Sequence, residues 1–236
     1  MPISPAAHHW LWLRLACDDR ISKLLIISPP ESAKTTWLIS AYLGCRVGFY
    51  PEQNIIIASV SDDVAVARSL ALRTLVEGAM WRHLFPGVVR AQGLKWEQDK
   101  WSLAPDGRPH SGRLHPTVSA YGTGASITGS RADLLLGDDL LDLDNTRTVT
   151  QRRYISEWGH TSFLSRRKSR TGRTIIIGTS WNADDFYADI RKAPQGWVIC
   201  HTPLLSTQSD GFYAYITYPD DWPYERLGVA GSGTNA

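Results

Sequence analysis

Residues 24–36 read LLIISPPESAKTT, a stretch in which a strand, a turn and a helix are predicted to follow one another. A short apolar run ends in a Pro-Pro turn, after which Lys34 and Thr35 open a predicted helix. In such a unit the backbone N–H groups of the turn and the positive end of the helix dipole bind phosphate. The lysine reaches the terminal phosphates, and the threonine hydroxyl binds Mg²⁺. The stretch therefore predicts a nucleotide site after the first strand of an α/β sheet.

The match to the phosphate-loop pattern is partial. The pattern has glycines six residues and one residue before the lysine, where this chain has Ser28 and Ala33. Because positive φ costs more without glycine, the backbone angles of the loop stay open. The alternative is an ordinary strand with a turn and a surface lysine. The residues predicted to contact the nucleotide are Pro30, Glu31, Ser32, Ala33, Lys34, Thr35 and Thr36.

A second element follows in RADLLLGDD (131–139), where three leucines run into two acids. In a nucleotide hydrolase the first acid at the tip of a buried strand holds the Mg²⁺ shell, and its neighbour polarises the attacking water. Asp138 and Asp139 fit these two roles, with Asp138 contacting the metal through water. Five acids fall between Asp133 and Asp144, so a strand followed by a solvated acidic turn is the alternative.

A third apolar strand, in TIIIGTS (174–180), ends in Thr179 and Ser180. Because the carboxyl ends of parallel strands meet at one edge of a sheet, we expect both residues close to Asp138 and the phosphate loop. There they would sense the terminal phosphate. A plain strand-to-loop transition is the alternative.

The order of predicted elements is typical of a doubly wound sheet. The stretches KWEQDKWSL (95–103) and RLHPTVSAYG (113–122) predict a small antiparallel insertion before the acidic strand. We expect helices over 5–17, 34–46, 62–83, 148–165 and 184–192, and strands over 24–28, 54–60, 134–139, 174–180 and 197–203.

Composition limits the classes of protein that fit. The 236 residues, 43% hydrophobic and 20% charged, predict one globular α/β domain with a sizeable core. No apolar run reaches the ~18–20 residues of a membrane-spanning helix, and the amino terminus lacks a signal-peptide pattern. Cys17, Cys45 and Cys200 are widely spaced, which predicts neither a disulfide framework nor a zinc site, and we expect a reducing cytoplasm. Adjacent His8 and His9 would point about 100° apart on a helix, so no metal site is expected there.

A basic segment stands out against the small net charge of +2. Between residues 147 and 173 only Glu157 is acidic. Such a cluster contacts DNA phosphates or an acidic face of a neighbouring subunit, or is simply a solvated face. Its basic residues are Arg147, Arg152, Arg153, Arg166, Arg167, Lys168, Arg170 and Arg173.

Six motifs in order resemble the ATPase domain of the large terminase subunit, the motor that packages double-stranded DNA into tailed-phage capsids. They are PPESAKTT, IIIASVSDDVAVARS, LFPGV, SAYGTGASITGSRADLLLGDD, IIIGTSWNADDF and the Trp222–Pro223 pair of YPDDWPYERL. The Gly/Thr-rich loop that leads into the paired acids is the most diagnostic. The resemblance implies a P-loop NTPase of the additional-strand type, with a mostly parallel central sheet and helices on both faces.

The resemblance also implies roles for individual residues. Lys34 and Thr35 would hold the phosphates and Mg²⁺, Asp138 would be the metal-shell acid and Asp139 the catalytic acid. Thr179 would couple the γ-phosphate to movement. Arg131 would be a trans arginine finger that reaches the next subunit's site, with a surface arginine at a turn as the alternative. The DNA or subunit contacts would come from Arg152, Arg153, Arg166, Arg167, Lys168 and Arg170.

Two departures from the family pattern stand out. Many members carry an arginine in the phosphate loop, where this chain has Glu31, so the loop itself supplies no cis arginine and more weight falls on Arg131. The family's complete proteins continue into an RNase H-like nuclease domain. We therefore expect an ATPase domain over residues 1–215, a linker toward that domain with a flexible tail over 216–236, and no nuclease activity from this chain.

The family implies ATP and Mg²⁺ as cofactors and double-stranded DNA, a portal protein and a small terminase subunit as partners. It implies a homo-oligomeric ring, a pentamer, in the cytoplasm of the infected host cell and transiently on the procapsid. A helicase-like ATPase and a non-hydrolysing subunit that docks on DNA or a portal are the alternatives. The region of Trp10 and Trp12 would lie near the adenine base, where either indole packs on the base or into the core.

Overall fold

Strands and helices alternate along the chain, in a computed structural model that describes residues 5–113, 115–127, 129 and 131–202, with the backbone of 215–217. The strands are β1 (Lys23–Ile27), β2 (Ile55–Ser59), β3 (Val88–Arg90), β4 (Lys100–Trp101), β5 (Leu103–Pro105), β6 (Val118–Gly122), β7 (Leu134–Asp138), β8 (Arg173–Gly178), β9 (Val198–His201) and β10 (Tyr215–Thr217). The α-helices are α1 (Ala7–Cys17), α2 (Gly44–Phe49), α3 (Asp62–Glu77), α4 (Ala79–Leu84), α5 (Leu143–Thr146), α6 (Val149–Trp158) and α7 (Phe186–Lys192).

Two helices contain π-helical segments. Thr36–Leu43 is π-helical and continues directly as α2, and Gly159–Phe163 extends α6 before a 3₁₀ turn at Leu164–Arg166. The first of these segments directly follows the predicted phosphate loop. Such segments are frequent at functional sites.

The main sheet has the strand order β10-β9-β1-β8-β7-β2-β6-β4. Its centre, from β9 to β6, is parallel, and β10 and β4 pair antiparallel at its two edges. Strand β8 lies between β1 and β7, so one additional strand separates the strand of the phosphate loop from the strand of the paired acids. The predicted fold class is confirmed.

The core lies on both faces of this sheet, as the near-continuous apolar strands predict. Alternate residues of one strand point to opposite faces. In β7, Leu134 and Leu136 pack with Trp12 and Tyr42 on one face, while Leu135 packs with Trp158 on the other. Helices α1 and α2 cover the first face together with α3, and α6 and α7 cover the second.

The structure corrects the predicted insertion. Residues 118–122 form β6, a parallel strand of the main sheet beside β2, and only β4 pairs with it in the antiparallel sense. Near this segment, β3 and β5 also pair antiparallel, but in a separate two-stranded sheet. Strand β2 is fully buried, so its backbone N–H and C=O groups need partners on both sides, which β7 and β6 supply.

The predicted helix over 62–83 is in fact two helices. Gly78 has an extended backbone (φ −70°, ψ 149°) that ends α3 and begins α4. Glycine favours such a break because it loses the most conformational freedom in a helix. None of the described helices is long and apolar enough to cross a membrane. Apart from residues 216–217 at the end of β10, the predicted linker and tail, with Trp222, lie outside the described residues.

Candidate active site

The ends of three neighbouring strands bring the predicted site residues together. Ile27 of β1 pairs with Gly178 of β8, and Asp138 of β7 pairs with Ile177. The residues that follow each strand therefore leave the sheet side by side. This register explains how segments that are more than 100 residues apart in the sequence share one edge.

The loop after β1 is a tight turn held by its own side chains. Ser28 Oγ donates to Ser32 Oγ (2.9 Å), and Ser32 Oγ donates to the carbonyl of Pro29 (2.9 Å). Glu31 and Ala33 both adopt positive φ, 59° and 58°, although neither is glycine. Ala33 thus occupies a left-handed conformation at the position where the pattern has its second glycine.

The side chains of this loop differ in exposure. Lys34 is buried, whereas Ser32, Ala33 and Thr35 are partly buried. The other three residues of the predicted contact set, Pro30, Glu31 and Thr36, are exposed. The carboxylate of Glu31 therefore remains in solvent, where it costs little.

Lys34 joins the loop to the other two strand ends. Its Nζ donates to the carbonyl of Pro29 (3.0 Å) and to Thr179 Oγ1 (3.0 Å), and lies 3.7 Å from Asp139 Oδ1. Thr179 Oγ1 in turn donates to the carbonyl of Ser28 (3.1 Å). One buried ammonium group thus contacts residues that follow the ends of β1, β7 and β8.

Asp138 is the most buried acid of the site, with no exposed side-chain surface. Thr35 Oγ1 donates to its Oδ2 (2.9 Å), and Ser59 Oγ donates to its backbone carbonyl (2.6 Å). Mg²⁺ takes oxygen ligands, and in nucleotide sites these include carboxylates and the hydroxyl of a Ser or Thr in the phosphate loop. Thr35 and Asp138 therefore fit a magnesium ion.

Arg68, on α3, contacts the same carboxylate and was not among the predicted site residues. Its Nε donates to Asp138 Oδ2 at 2.8 Å. A signal was available in the sequence. The core-facing stripe of α3 contains Ala65, Ser69 and Leu72, and Arg68 lies within that stripe at helical spacing. A charged residue in an apolar stripe needs a buried partner, here Asp138.

Asp139 follows directly and turns toward Lys34. It has φ of 47°, and its N–H donates to the carbonyl of Ile177 (2.9 Å). Its carboxylate accepts a hydrogen bond from the backbone N–H of Thr179. The side chain is 34% exposed, so solvent reaches this acid but not Asp138.

Burial raises the pKa of both acids above the ordinary aspartate value. Burial, and then the charge of Asp139, raises the pKa of Asp138, and the Arg68 guanidinium and the Thr35 hydroxyl partly offset this rise. Burial also raises the pKa of Asp139, against the lowering effect of Lys34 and Arg68. A carboxylate with a raised pKa is a stronger base, which is the property required of a group that polarises water.

Thr179 and Ser180 have separate roles in the structure. Thr179 contacts Lys34 and the loop, as expected, but Ser180 Oγ donates to Asp185 Oδ2 (3.3 Å) instead. Asp185 caps α7 and accepts from the backbone N–H groups of Ala188, Trp181 and Asn182. Ser180 therefore belongs to the cap of α7.

Arg131 lies just before β7 begins, at the opposite end of the strands from the site. Its Nη1 donates to the carbonyl of Ser165 (3.3 Å). The structure thus does not bring Arg131 to the site of its own chain. A role in trans requires a neighbouring subunit that meets this end of the strands, and that role stays a prediction.

The basic cluster divides into four groups. Arg173 is buried and donates to the carbonyls of Ile21 and Ala16, so it is a structural residue. Arg152 pairs with Asp184 (2.9 Å) and Lys168 with Asp133 (2.7 Å). The exposed members are Arg147, Arg153 and Arg170, while Arg166 and Arg167 are partly buried.

Helix α1 contacts the phosphate loop through a histidine. The N–H of Ala6 donates to His9 Nδ1 (2.9 Å), so the other ring nitrogen, Nε2, carries the hydrogen and donates to the carbonyl of Ser32 (2.9 Å). The His9 ring also stacks on Trp37, with centroids 5.0 Å apart. Trp12 is fully buried in the core, whereas Trp10 is 57% exposed.

Comparisons with known proteins show the fold of the chain. No protein-family model matches the sequence, and no curated protein matches it significantly. The ATPase domain of the Thermus phage P74-26 large terminase superposes with a TM-score of 0.55 at 14% identity, over 78% of this chain and 68% of that domain. An arginine-to-alanine mutant of that domain gives a TM-score of 0.53 over 78% of this chain and 69% of its own.

A third solved structure extends the comparison. The large terminase of bacteriophage HK97 gives a TM-score of 0.51 at 15% identity and covers 89% of this chain. This chain spans 42% of the HK97 protein. The resemblance read from the sequence motifs is confirmed at the level of the fold. The chain has the α/β fold of the ATPase domains of phage large terminases.

Proposed function

We propose that the chain is the ATPase motor domain of a viral, tailed-phage-type large terminase, which hydrolyses ATP to move double-stranded DNA into a procapsid. One observation carries the proposal. Lys34, Thr35, Asp138, Asp139 and Thr179 meet at the carboxyl edge of β1, β7 and β8 in hydrogen-bond and ion-pair contact. The shared fold with phage terminase domains supports the same assignment.

The residues of the site divide the chemistry between them. Lys34 binds the terminal phosphates, and the N–H groups of the loop add further donors. Thr35 and Asp138 hold Mg²⁺, which neutralises phosphate charge when bound. Asp139 orients a water molecule and accepts its proton as the water oxygen attacks the γ-phosphorus. The bond from phosphorus to the bridging oxygen breaks, and that oxygen leaves with ADP.

Movement is assigned to the link between Thr179 and Lys34. Because Thr179 contacts both the lysine and the phosphate loop, loss of the γ-phosphate changes the contacts of β8 directly. A trans arginine from Arg131 completes the charge stabilisation in a ring of subunits, a pentamer on the procapsid with portal protein and small subunit as partners. The exposed arginines of the basic cluster contact DNA phosphates.

The test is steady-state hydrolysis of Mg-ATP per protomer over a wide range of protein concentration, with Asp139→Asn as the blank. We expect turnover above the blank that rises with protein concentration, since a trans arginine needs a neighbour. A flat, measurable rate would remove Arg131 from the mechanism. Binding of Mg-ATP that depends on Lys34 but never leads to turnover would favour a non-hydrolysing docking subunit.

A further inference from the structure

We propose that Arg68 is a further catalytic residue, a cis arginine that binds the γ-phosphate of a nucleoside triphosphate bound by the same chain. The proposal rests on the proposed function, because it assigns one more contact to the same site. It gives this chain an arginine at the reaction centre although the phosphate loop, residues 28–36, contains none.

The side chain of Arg68 is anchored at one end by a buried carboxylate. Arg68 Nε donates to Asp138 Oδ2 at 2.8 Å, and Asp138 is itself fixed by Thr35 and Ser59. A guanidinium held at Nε by a fully buried carboxylate keeps its orientation. The group that would contact the substrate is therefore preorganised, and preorganisation is the main source of electrostatic catalysis.

The terminal nitrogens of the Arg68 guanidinium are available to bind a ligand. A guanidinium has five N–H donors in a rigid fork. Within the described part of the chain, Nε is the only nitrogen of Arg68 that donates a hydrogen bond, and both terminal nitrogens remain available. The side chain is 31% exposed, so a ligand at the edge of the sheet can reach these donors.

Two positive charges lie beside the paired acids. Lys34 approaches the paired acids from the loop, and Arg68 approaches them from α3. The positive charges of Lys34 and Arg68 both lower the pKa of Asp139, against the effect of burial. A γ-phosphate beside Asp139 would thus lie between two cations, an arrangement that offsets the charge spread over its oxygens during transfer.

Two other arginines, Arg131 and Arg173, contact parts of the chain away from the paired acids. Arg131 lies at the opposite end of the strands, bonded to Ser165. Arg173 donates hydrogen bonds to backbone carbonyls within residues 16–21, between the end of α1 and the start of β1. Among the described residues, Arg68 is the arginine that forms an ion pair with the paired acids.

A structural role is the competing explanation, in which Arg68 only neutralises the buried charge of Asp138. Two variants separate the explanations. Arg68→Ala removes the guanidinium, and Arg68→Lys keeps the positive charge but loses the fork. A purely structural role requires charge alone, so lysine would restore all properties.

The experiment compares binding of the magnesium complexes of AMP-PNP and ADP by calorimetry, together with Mg-ATP turnover and melting temperature. For Arg68→Ala we expect at least tenfold weaker AMP-PNP binding, less than twofold weaker ADP binding and about 100-fold slower turnover or more. For Arg68→Lys we expect the wild-type melting temperature without recovery of turnover. Arg82→Ala, at an exposed arginine on α4, is the matched control and should change neither nucleotide affinity.

Each other outcome is decisive. Equal loss of affinity for both nucleotides, or full recovery with lysine, would overturn the proposal in favour of charge neutralisation. Wild-type binding and turnover that Arg68→Ala leaves unchanged would overturn this proposal alone. A wild-type chain that binds neither magnesium nucleotide would overturn the proposed function and the role of Arg68 with it.

Discussion

The ammonium group of Lys34 donates a 3.0 Å hydrogen bond to Thr179 Oγ1 across 145 residues of sequence. The contact joins the phosphate loop to the end of β8, the strand between β1 and β7. It therefore connects the group that would bind phosphate with the element that would transmit its loss.

Removing the Thr179 hydroxyl should weaken nucleotide binding. Thr179→Val keeps the shape of the side chain but leaves Lys34 with one partner fewer, and a hydrogen bond to a charged group contributes about 1.5–3 kcal/mol. We expect about tenfold weaker binding of Mg-ATP, measured by fluorescence titration. Thr179→Ser, which keeps the hydroxyl, is the control and should bind within about twofold of wild type. Equal binding by all three proteins would separate Thr179 from the site.

The raised pKa values of Asp138 and Asp139 predict how stability depends on pH. When burial raises the pKa of an acid, the folded state binds its proton more tightly than the unfolded state. Stability then falls as pH rises from the ordinary value of 3.8 through the raised pKa. Asp139→Asn removes one of the two charges, so we expect it to be more stable than wild type at neutral pH.

The expected gain is small, about 0.5 kcal/mol, because solvent screens part of the charge of Asp139. It should vanish in acid, below the ordinary aspartate pKa, and urea unfolding across pH measures the difference. Asp144→Asn, at an exposed acid of α5, should show no such dependence. A variant that is less stable than wild type at neutral pH would contradict this account of the acid pair.

Replacing Ala33 by glycine should stabilise the fold. Ala33 has φ of 58°, a left-handed conformation that costs an L-residue about 1–2 kcal/mol. Glycine avoids this cost but loses about 0.5–1 kcal/mol of backbone entropy on folding. We therefore expect a net gain of about 0.5–1 kcal/mol in the free energy of unfolding, measured with denaturant.

Ala67→Gly is the control for that substitution. Ala67 is exposed in the middle of α3, where glycine has only its entropic cost, so this variant should lose about 0.5–1 kcal/mol. The two alanine-to-glycine changes should thus have opposite signs. The same sign in both would show that the loop backbone is not strained at Ala33.

Arg173 should be essential for folding rather than for DNA contact. Its guanidinium donates to the carbonyls of Ala16, Asp18 and Ile21 at 2.8–2.9 Å and pairs with Asp19. Arg173→Met leaves these acceptors without a donor, and we expect a loss of about 3 kcal/mol or more. Thermal unfolding measures it. Arg170→Met, at an exposed arginine, should change stability by less than about 0.5 kcal/mol.

The exposed arginines Arg153 and Arg170 should contribute to DNA affinity without sequence preference. Each phosphate contact that is lost lowers the salt slope of binding by about 1. We expect the double alanine variant to bind duplex DNA more weakly at low salt and with a slope smaller by about 2, measured by fluorescence anisotropy. Arg82→Ala should leave the slope unchanged. A double variant with the wild-type slope would mean that this part of the cluster is only a solvated face.

The fold class, and the residues that meet at the carboxyl ends of β1, β7 and β8, could be predicted from local sequence patterns. Apolar strands that end in Lys34–Thr35, in Asp138–Asp139 and in Thr179 are local patterns, and the parallel arrangement of strands converts them into one edge. The physical reason is general, because carboxyl ends of parallel strands meet wherever such a sheet forms. The alternation of strands and helices along the chain likewise predicted a sheet with helices on both faces.

Which other residues join that edge, and which predicted ones lie elsewhere, depends on contacts between distant parts of the chain. The partner of Arg68 lies 70 residues away in the sequence, and that of Arg173 lies more than 150 residues away, so no local pattern contains either contact. For this reason the sequence alone could not show that Arg68 is a site residue and that Arg173 is a core residue. The position of β6 was decided in the same way, since strand pairing depends on which buried strand lacks a neighbour rather than on the strand's own sequence.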